Sequence, residues 1–103
     1  MIKVIEQVMN LKESEGLTIK NYQSINYKSG WQVADYGAEC YNVQEAIITI
    51  AKYKGTCGVW LENGIYYIDH SFRVNTKKEA LAIGRANNQI SILKWKNKSL
   101  VYC

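Results

Sequence analysis

The 103-residue chain contains no proline, one histidine, one phenylalanine and three cysteines. Without proline, no turn depends on a fixed φ angle, and no slow X-Pro isomerisation is expected during folding. The cysteines are odd in number and none belongs to a CxxC pair. A tetrahedral zinc site would need Cys40, Cys57, Cys103 and His70, whose spacing matches no usual ligand pattern. We therefore expect free thiols, no metal and no cofactor.

Long apolar runs are missing as well. No run approaches the roughly 18 residues that a membrane helix requires, and the N-terminal residues lack the apolar core of a signal peptide. These absences predict a cytoplasmic protein, in which thiols stay reduced. The length leaves room for one domain, residues 1–103, and the 48% apolar content is enough to form its core.

Tyrosine, tryptophan and positive charge are abundant. Eight tyrosines and three tryptophans suit half-buried sheet faces and interfaces, although strand propensity alone also favours them. From residue 73 onward the chain has one acid, Glu79, and seven basic residues: Arg73, Lys77, Lys78, Arg85, Lys94, Lys96 and Lys98. The whole chain carries only +4, so residues 1–72 are net negative. A chain polarised in this way is suited to a charged partner.

The N-terminal third predicts a helix and a hairpin. Apolar residues at helical spacing indicate an amphipathic helix over residues 2–15, with Gly16 ending it. The following β-branched and aromatic residues surround Ser29-Gly30, which predicts a hairpin with strands near 19–27 and 31–36.

Two further helices have recognisable caps. Asn42 with Glu45 predicts the start of the second helix, and Gly55 is expected to close it. Thr76 with Glu79 predicts the start of a third helix over residues 77–87. Its small residues, Gly84 among them, favour close packing on a sheet.

Asn63-Gly64 is the strongest turn signal, because a type I′ turn needs positive φ at both central positions. The two-residue loop sets a register in which Trp60 faces Tyr67. One side of this hairpin is then assigned to the core: Val59, Leu61, Tyr66 and Ile68. If no helix covers the other side, Trp60 and Tyr67 form an exposed aromatic pair. A closing hairpin is expected around the turn at residues 96–98.

The order is therefore helix then hairpin, three times. The economical arrangement is an α+β fold, an antiparallel sheet built from hairpins with about three helices packed on it.

Enzyme chemistry has little support in the sequence. Asp69 and His70 are neighbours on a strand and point to opposite faces, so Asp69 cannot orient the imidazole. Cys57 lies opposite His70 in the predicted register, but a buried thiol beside a strand-end histidine is the simpler interpretation. The carboxylates are scattered, and no glycine spacing matches a phosphate-binding loop. We predict a non-enzymatic protein.

Binding is better supported. Alternation predicts Lys94, Lys96 and Lys98 on one side of the last hairpin, with Arg85 on the preceding helix and Trp95 nearby. Such a surface could follow a nucleic-acid backbone and stack a base, or it could meet an acidic protein. Lysines that protect an edge strand against further pairing would give the same pattern.

Four segments carry a resemblance to a known group: Tyr66–Asp69, Lys78–Ala80, Ile83–Arg85 and Asn87–Ile92. Together they resemble the C-terminal half of small phage- and plasmid-encoded proteins of Gram-positive bacteria, over about residues 59–95. In those proteins a "W…G.YY.D" hairpin precedes an "EAL..G…NQ.(A/S)I" helix and strand. The resemblance implies a mobile-element protein of the anti-CRISPR or related anti-defence type, and it implies no catalytic residue.

The sequence therefore predicts a stoichiometric inhibitor of a host defence complex, its partner a host protein or ribonucleoprotein such as a Cas effector. The alternative is a small basic accessory protein that binds nucleic acid. The predicted contact residues are Arg85, Lys94, Trp95, Lys96, Lys98, Trp60 and Tyr67.

Overall fold

The computed structural model describes residues 2–53 and 55–103. The helices are α1 (Ile2–Met9), α2 (Val43–Lys52) and α3 (Lys77–Ala86). The strands are β1 (Glu15–Lys20), β2 (Gln23–Ser24), β3 (Trp31–Cys40), β4 (Thr56–Glu62), β5 (Ile65–Val74), β6 (Ser91–Lys94) and β7 (Ser99–Tyr102). They form one sheet in the order β2-β1-β4-β5-β3-β6-β7, and every neighbouring pair is antiparallel. The predicted α+β fold is confirmed.

The β4–β5 hairpin has the predicted register. Asn63 and Gly64 have φ angles of 53° and 76°, as a type I′ turn requires. Trp60 pairs with Tyr67, and Leu61 pairs with Tyr66. The side assigned to the core is buried: Val59, Leu61, Tyr66 and Ile68.

Side chains cap α2 and α3 at the predicted residues. The Asn42 side chain accepts a hydrogen bond from the backbone N–H of Glu45, and the Thr76 side chain accepts one from the backbone N–H of Glu79. The close packing at Gly84 is also present, because a Cβ there would lie 2.7 Å from Cys103 Sγ. The prediction that Gly55 closes α2 was wrong, since the helix ends at Lys52 with Tyr53 as its cap.

The predicted helix over residues 2–15 is too long. It ends at Met9, and Gly16 lies inside β1, directly opposite Trp60 of β4. Ser14, with a φ of 63°, donates its N–H to the carbonyl oxygen of Leu61 and leads the chain into the sheet. Pairing with β4 satisfies the backbone groups of β1 that face β4, and it covers an edge of β4 that a longer helix would have left open.

The predicted hairpin over 19–27 and 31–36 was also wrong. β1 turns back at Asn21-Tyr22, whose φ angles of 52° and 61° give a tight turn into the two-residue β2. Tyrosine rarely adopts a positive φ angle, so the sequence did not predict this turn. β3 instead lies between β5 and β6.

All three helices cover one face of the sheet. Residues i and i+2 of a strand share a face, so Tyr66, Ile68, Phe72 and Val74 of β5 point the same way. The first pair belongs to a core shared with α1 and α2, and the second pair packs in a smaller core with α3. Tyr67 and Asp69 therefore point to the opposite face.

The opposite face is covered at one end only. Gln32 and Trp95 are buried there, and Tyr27, from the segment between β2 and β3, meets the Trp95 ring edge-on at 5.5 Å. At the other end, Trp60 and Tyr67 are exposed. We call the uncovered end, formed by Trp60, Tyr67 and Glu39, the open face.

Candidate functional site

The predicted basic surface lies at the end of the sheet formed by α3, β6, β7 and the turn at 95–98, which we call the basic end. Lys96 and Lys98 are exposed in the turn, and Arg85 is exposed in the last turn of α3. Lys94 is half-buried, with its Nζ 5.8 Å from the centre of the Trp31 ring. Three of the four predicted cations are thus free to meet a partner.

The predicted alternation of Lys94, Lys96 and Lys98 on one side of a strand was wrong. β6 ends at Lys94, and the next four residues form a turn in which Lys98 has a φ of 54°. The lysines project from a turn and cannot follow a regular backbone at a two-residue period.

The prediction that Trp95 is a contact residue was also wrong. Its side chain is only 3% exposed, and its indole N–H donates to Gln32 Oε1 at 3.0 Å. Gln32 in turn donates to Ser71 Oγ at 3.0 Å, which completes a buried polar chain under Tyr27. The ring is therefore a structural element and is closed to a stacking base.

Trp60 and Tyr67 do form an exposed pair, with 41% and 37% of their surfaces accessible. The pair lies far from the basic end. Tyr67 is opposite Glu39 near the end of β3, whereas β6 pairs with Trp31 and Gln32 at its start. At about 3.3 Å per residue, these positions are about 25 Å apart. The predicted contact residues therefore belong to two surfaces.

His70 has an acidic partner, but it is Asp35. Nδ1 of His70 lies 2.7 Å from Asp35 Oδ1, and the ring of Tyr36 stacks on the imidazole at 4.8 Å. A shift in register between Ala34 and Tyr36 places Asp35 in a β-bulge beside His70. No turn or local motif links residues 35 and 70, so this contact could not be predicted from the sequence.

Cys57 lies directly opposite His70, as the register predicted. The thiol is buried, and this burial, with a smaller contribution from the charge of Asp69, raises its pKa to about 11. At neutral pH the thiol is therefore protonated and a poor nucleophile. The geometry opposes a cysteine-dependent reaction at this place.

Asp69 is the most perturbed carboxyl group. Burial raises its pKa to about 6, with Asp35 adding to the rise, while a hydrogen bond from Gly58 and the nearby His70 lower it. It lies between Gly58 of β4 and Gly37 of β3, on the same side of the sheet as Tyr67 and two residues from it.

Residues 2–53 and 55–103 contain no group of three or more His, Cys, Asp or Glu side chains that could hold a metal ion. The three cysteines are free thiols. No helix in these ranges is long and apolar enough to cross a membrane.

Comparison with known proteins found no match to a family model, to a curated protein or to a solved structure.

Proposed function

We propose that the chain is a non-enzymatic interaction protein that binds an acidic protein or ribonucleoprotein surface through its basic end. The observation that carries the proposal is the exposure of Arg85, Lys96 and Lys98 without an internal acidic partner. Within the described ranges, the one ion pair closer than 4 Å joins His70 and Asp35. Cations left unpaired on one end of a molecule remain available to an anionic surface.

The resemblance of residues 59–95 to mobile-element proteins supports a more specific proposal. The partner would be a subunit of a host defence complex, such as a Cas effector, and the protein would inhibit it by occupying its surface. One feature favours occupation over mimicry of DNA. Mimicry requires arrays of carboxylates, whereas the basic end exposes Arg85, Lys96 and Lys98.

A small nucleic-acid-binding accessory protein is the second candidate, because exposed lysines and arginines also neutralise phosphates. The burial of Trp95 weakens this candidate for single strands, since stacking on an aromatic ring supplies much of their affinity. The salt dependence of binding distinguishes the two candidate functions. Phosphate neutralisation lowers the logarithm of the binding constant steeply with the logarithm of salt concentration.

The test is phage plating on a bacterial host whose CRISPR–Cas system targets the phage, with the protein expressed from a plasmid. We expect the wild-type protein to restore plaques and Lys96→Glu with Lys98→Glu to abolish this activity. The double variant should keep the thermal midpoint, because both side chains are exposed.

The matched control is Lys3→Glu with Lys12→Glu, which makes the same change in net charge at exposed positions outside the basic end. It should retain full activity. Full activity of the Lys96→Glu, Lys98→Glu variant would contradict the proposed surface. Failure of the wild-type protein to restore plaques, together with salt-sensitive binding of a labelled oligonucleotide, would favour the accessory protein.

A further inference from the structure

The open face is an uncovered part of the sheet that the basic end does not explain. Trp60, Tyr67 and Glu39 are direct cross-strand neighbours on β4, β5 and β3. Their strand neighbours Leu61, Tyr66 and Cys40 point into the core, so this row points away from the helices. The sheet thus presents two aromatic rings and a carboxylate in one line.

The positions next to this row are occupied by glycines, which have no side chains to cover the aromatic rings. Gly16 lies beside Trp60, and a Cβ on Gly16 would be 2.7 Å from Cε3 of the indole, so the ring rests against the strand backbone. In the next row, Gly58 and Gly37 flank Asp69, whose Oδ1 would lie 2.7 Å from a Cβ on Gly58. No larger side chain at these three positions screens the aromatic pair.

The open face is bordered by acids. Glu39 is exposed, and its Oε2 accepts a hydrogen bond from the Tyr41 hydroxyl at 3.2 Å. Glu62 shares a face with Trp60, two residues away, and is held by the Ser14 hydroxyl at 2.6 Å. In the part of the chain that the structure describes, no lysine or arginine lies within 4 Å of either carboxylate.

The basic end does not cancel this local charge. It lies about 25 Å away along β3, at about 3.3 Å per residue. Charges at the protein surface are screened beyond about 8 Å at physiological ionic strength. An approaching ligand therefore meets the carboxylates and the rings rather than the net charge of the whole chain.

We propose that the open face binds an arginine-bearing basic segment of a partner protein. Guanidinium groups stack on the faces of tryptophan and tyrosine and pair with carboxylates in a two-pronged geometry. Trp60 and Tyr67 supply the stacking surface, and Glu39 and Glu62 supply the acceptors beside it. This surface is separate from the basic end and does not depend on the function proposed for that end.

The test uses a fluorescein-labelled peptide in which arginine alternates with glycine over six repeats, and the same peptide with the neutral isostere citrulline in place of arginine. Fluorescence anisotropy with the 103-residue protein should show that the citrulline peptide binds at least about tenfold more weakly. Trp60→Leu with Tyr67→Leu should weaken binding of the arginine peptide about tenfold, because leucine keeps an apolar surface but offers no π face.

Glu39→Gln should weaken binding of the arginine peptide about threefold to tenfold, because one charged acceptor is lost. The matched control, Glu6→Gln on α1, removes the same charge away from the open face and should leave binding unchanged. Thermal midpoints near the wild-type value show that each variant is folded.

Three results would overturn the proposal. They are equal binding of the two peptides, unchanged binding by the double leucine variant, and equal weakening by Glu6→Gln and Glu39→Gln. Sedimentation velocity tests a different occupant. Self-association that Trp60→Leu and Lys96→Glu each abolish would mean that a second copy fills the open face with its own basic end.

Discussion

The two halves of the sheet carry stability and charge in different proportions. Under α1 and α2, eleven buried residues form one continuous core, while α3 covers a core of three fully buried residues and relies on half-buried neighbours. The smaller core belongs to the basic end, which carries its exposed cations on α3 and in the turn between β6 and β7. The exposed cations therefore lie on the part of the sheet with the smaller core, and we expect this part to open without global unfolding.

The largest effect should come from a cavity in the larger core. Ile68 and Ile92 are each 1% exposed, one in each core. We expect Ile68→Ala to lower the free energy of unfolding by about 4 kcal/mol and Ile92→Ala by about 3 kcal/mol. Urea denaturation measures both values.

Amide hydrogen exchange measures the stability of the two halves of the sheet separately. Ile92→Ala should lower amide protection in α3, β6 and β7 while leaving β1 and β4 protected, and Ile68→Ala should lower protection throughout the sheet. Uniform loss of protection in the Ile92→Ala variant would show that the halves unfold as one unit.

A smaller effect concerns Asp69, whose burial makes the charged form of its carboxyl group unfavourable. Its pKa is about 6 in the folded protein against 3.8 for the free group, so the folded state holds the proton more tightly. Stability from this group is fully present below pH 3.8 and is lost as the pH rises to about 6.

Asp69→Asn should remove this loss and stabilise the protein by up to about 3 kcal/mol above pH 6. The amide oxygen can still accept the hydrogen bond from Gly58. Chemical denaturation of both proteins from pH 4 to pH 8 measures the difference, which should grow with pH and then level off. A difference that shrinks as the pH rises would contradict the burial of this carboxyl group.

The smallest of these effects tests how the basic end is held to the rest of the sheet. Gln32→Leu leaves the buried indole N–H of Trp95 without an acceptor, and the Ser71 hydroxyl loses its donor. We expect a loss of about 2 kcal/mol in the free energy of unfolding. The variant Ser71→Ala, which removes the outer bond and leaves the indole bond intact, should cost less. An equal cost would show that the indole bond contributes little.

The sequence predicted those features that local chemistry determines. Asn63-Gly64 fixed a register over the whole β4–β5 hairpin, and Asn42 and Thr76 marked helix starts to within a residue. The exposed pair Trp60–Tyr67 followed from the register alone. These predictions needed no knowledge of distant parts of the chain.

Features that depend on long-range pairing were beyond prediction. No turn joins β3 to β5, so nothing in the sequence placed Glu39 beside Tyr67 or Asp35 beside His70. The burial of Trp95 depends on Tyr27, 68 residues earlier in the chain. Alternation in the last hairpin assumed that the strand continued past Lys94, and the turn at Trp95 ended it.

The three tryptophans lie in three different environments, so intrinsic tryptophan fluorescence can report on different parts of the protein. Trp60 is exposed on β4, Trp95 is buried at the opposite end of the same face, and Trp31 is half-buried beneath Lys94. Exposed indoles emit at longer wavelengths than buried ones, so the red part of the emission spectrum reports the open face and the blue part reports the basic end. A single spectrum therefore follows two separate surfaces without any added label.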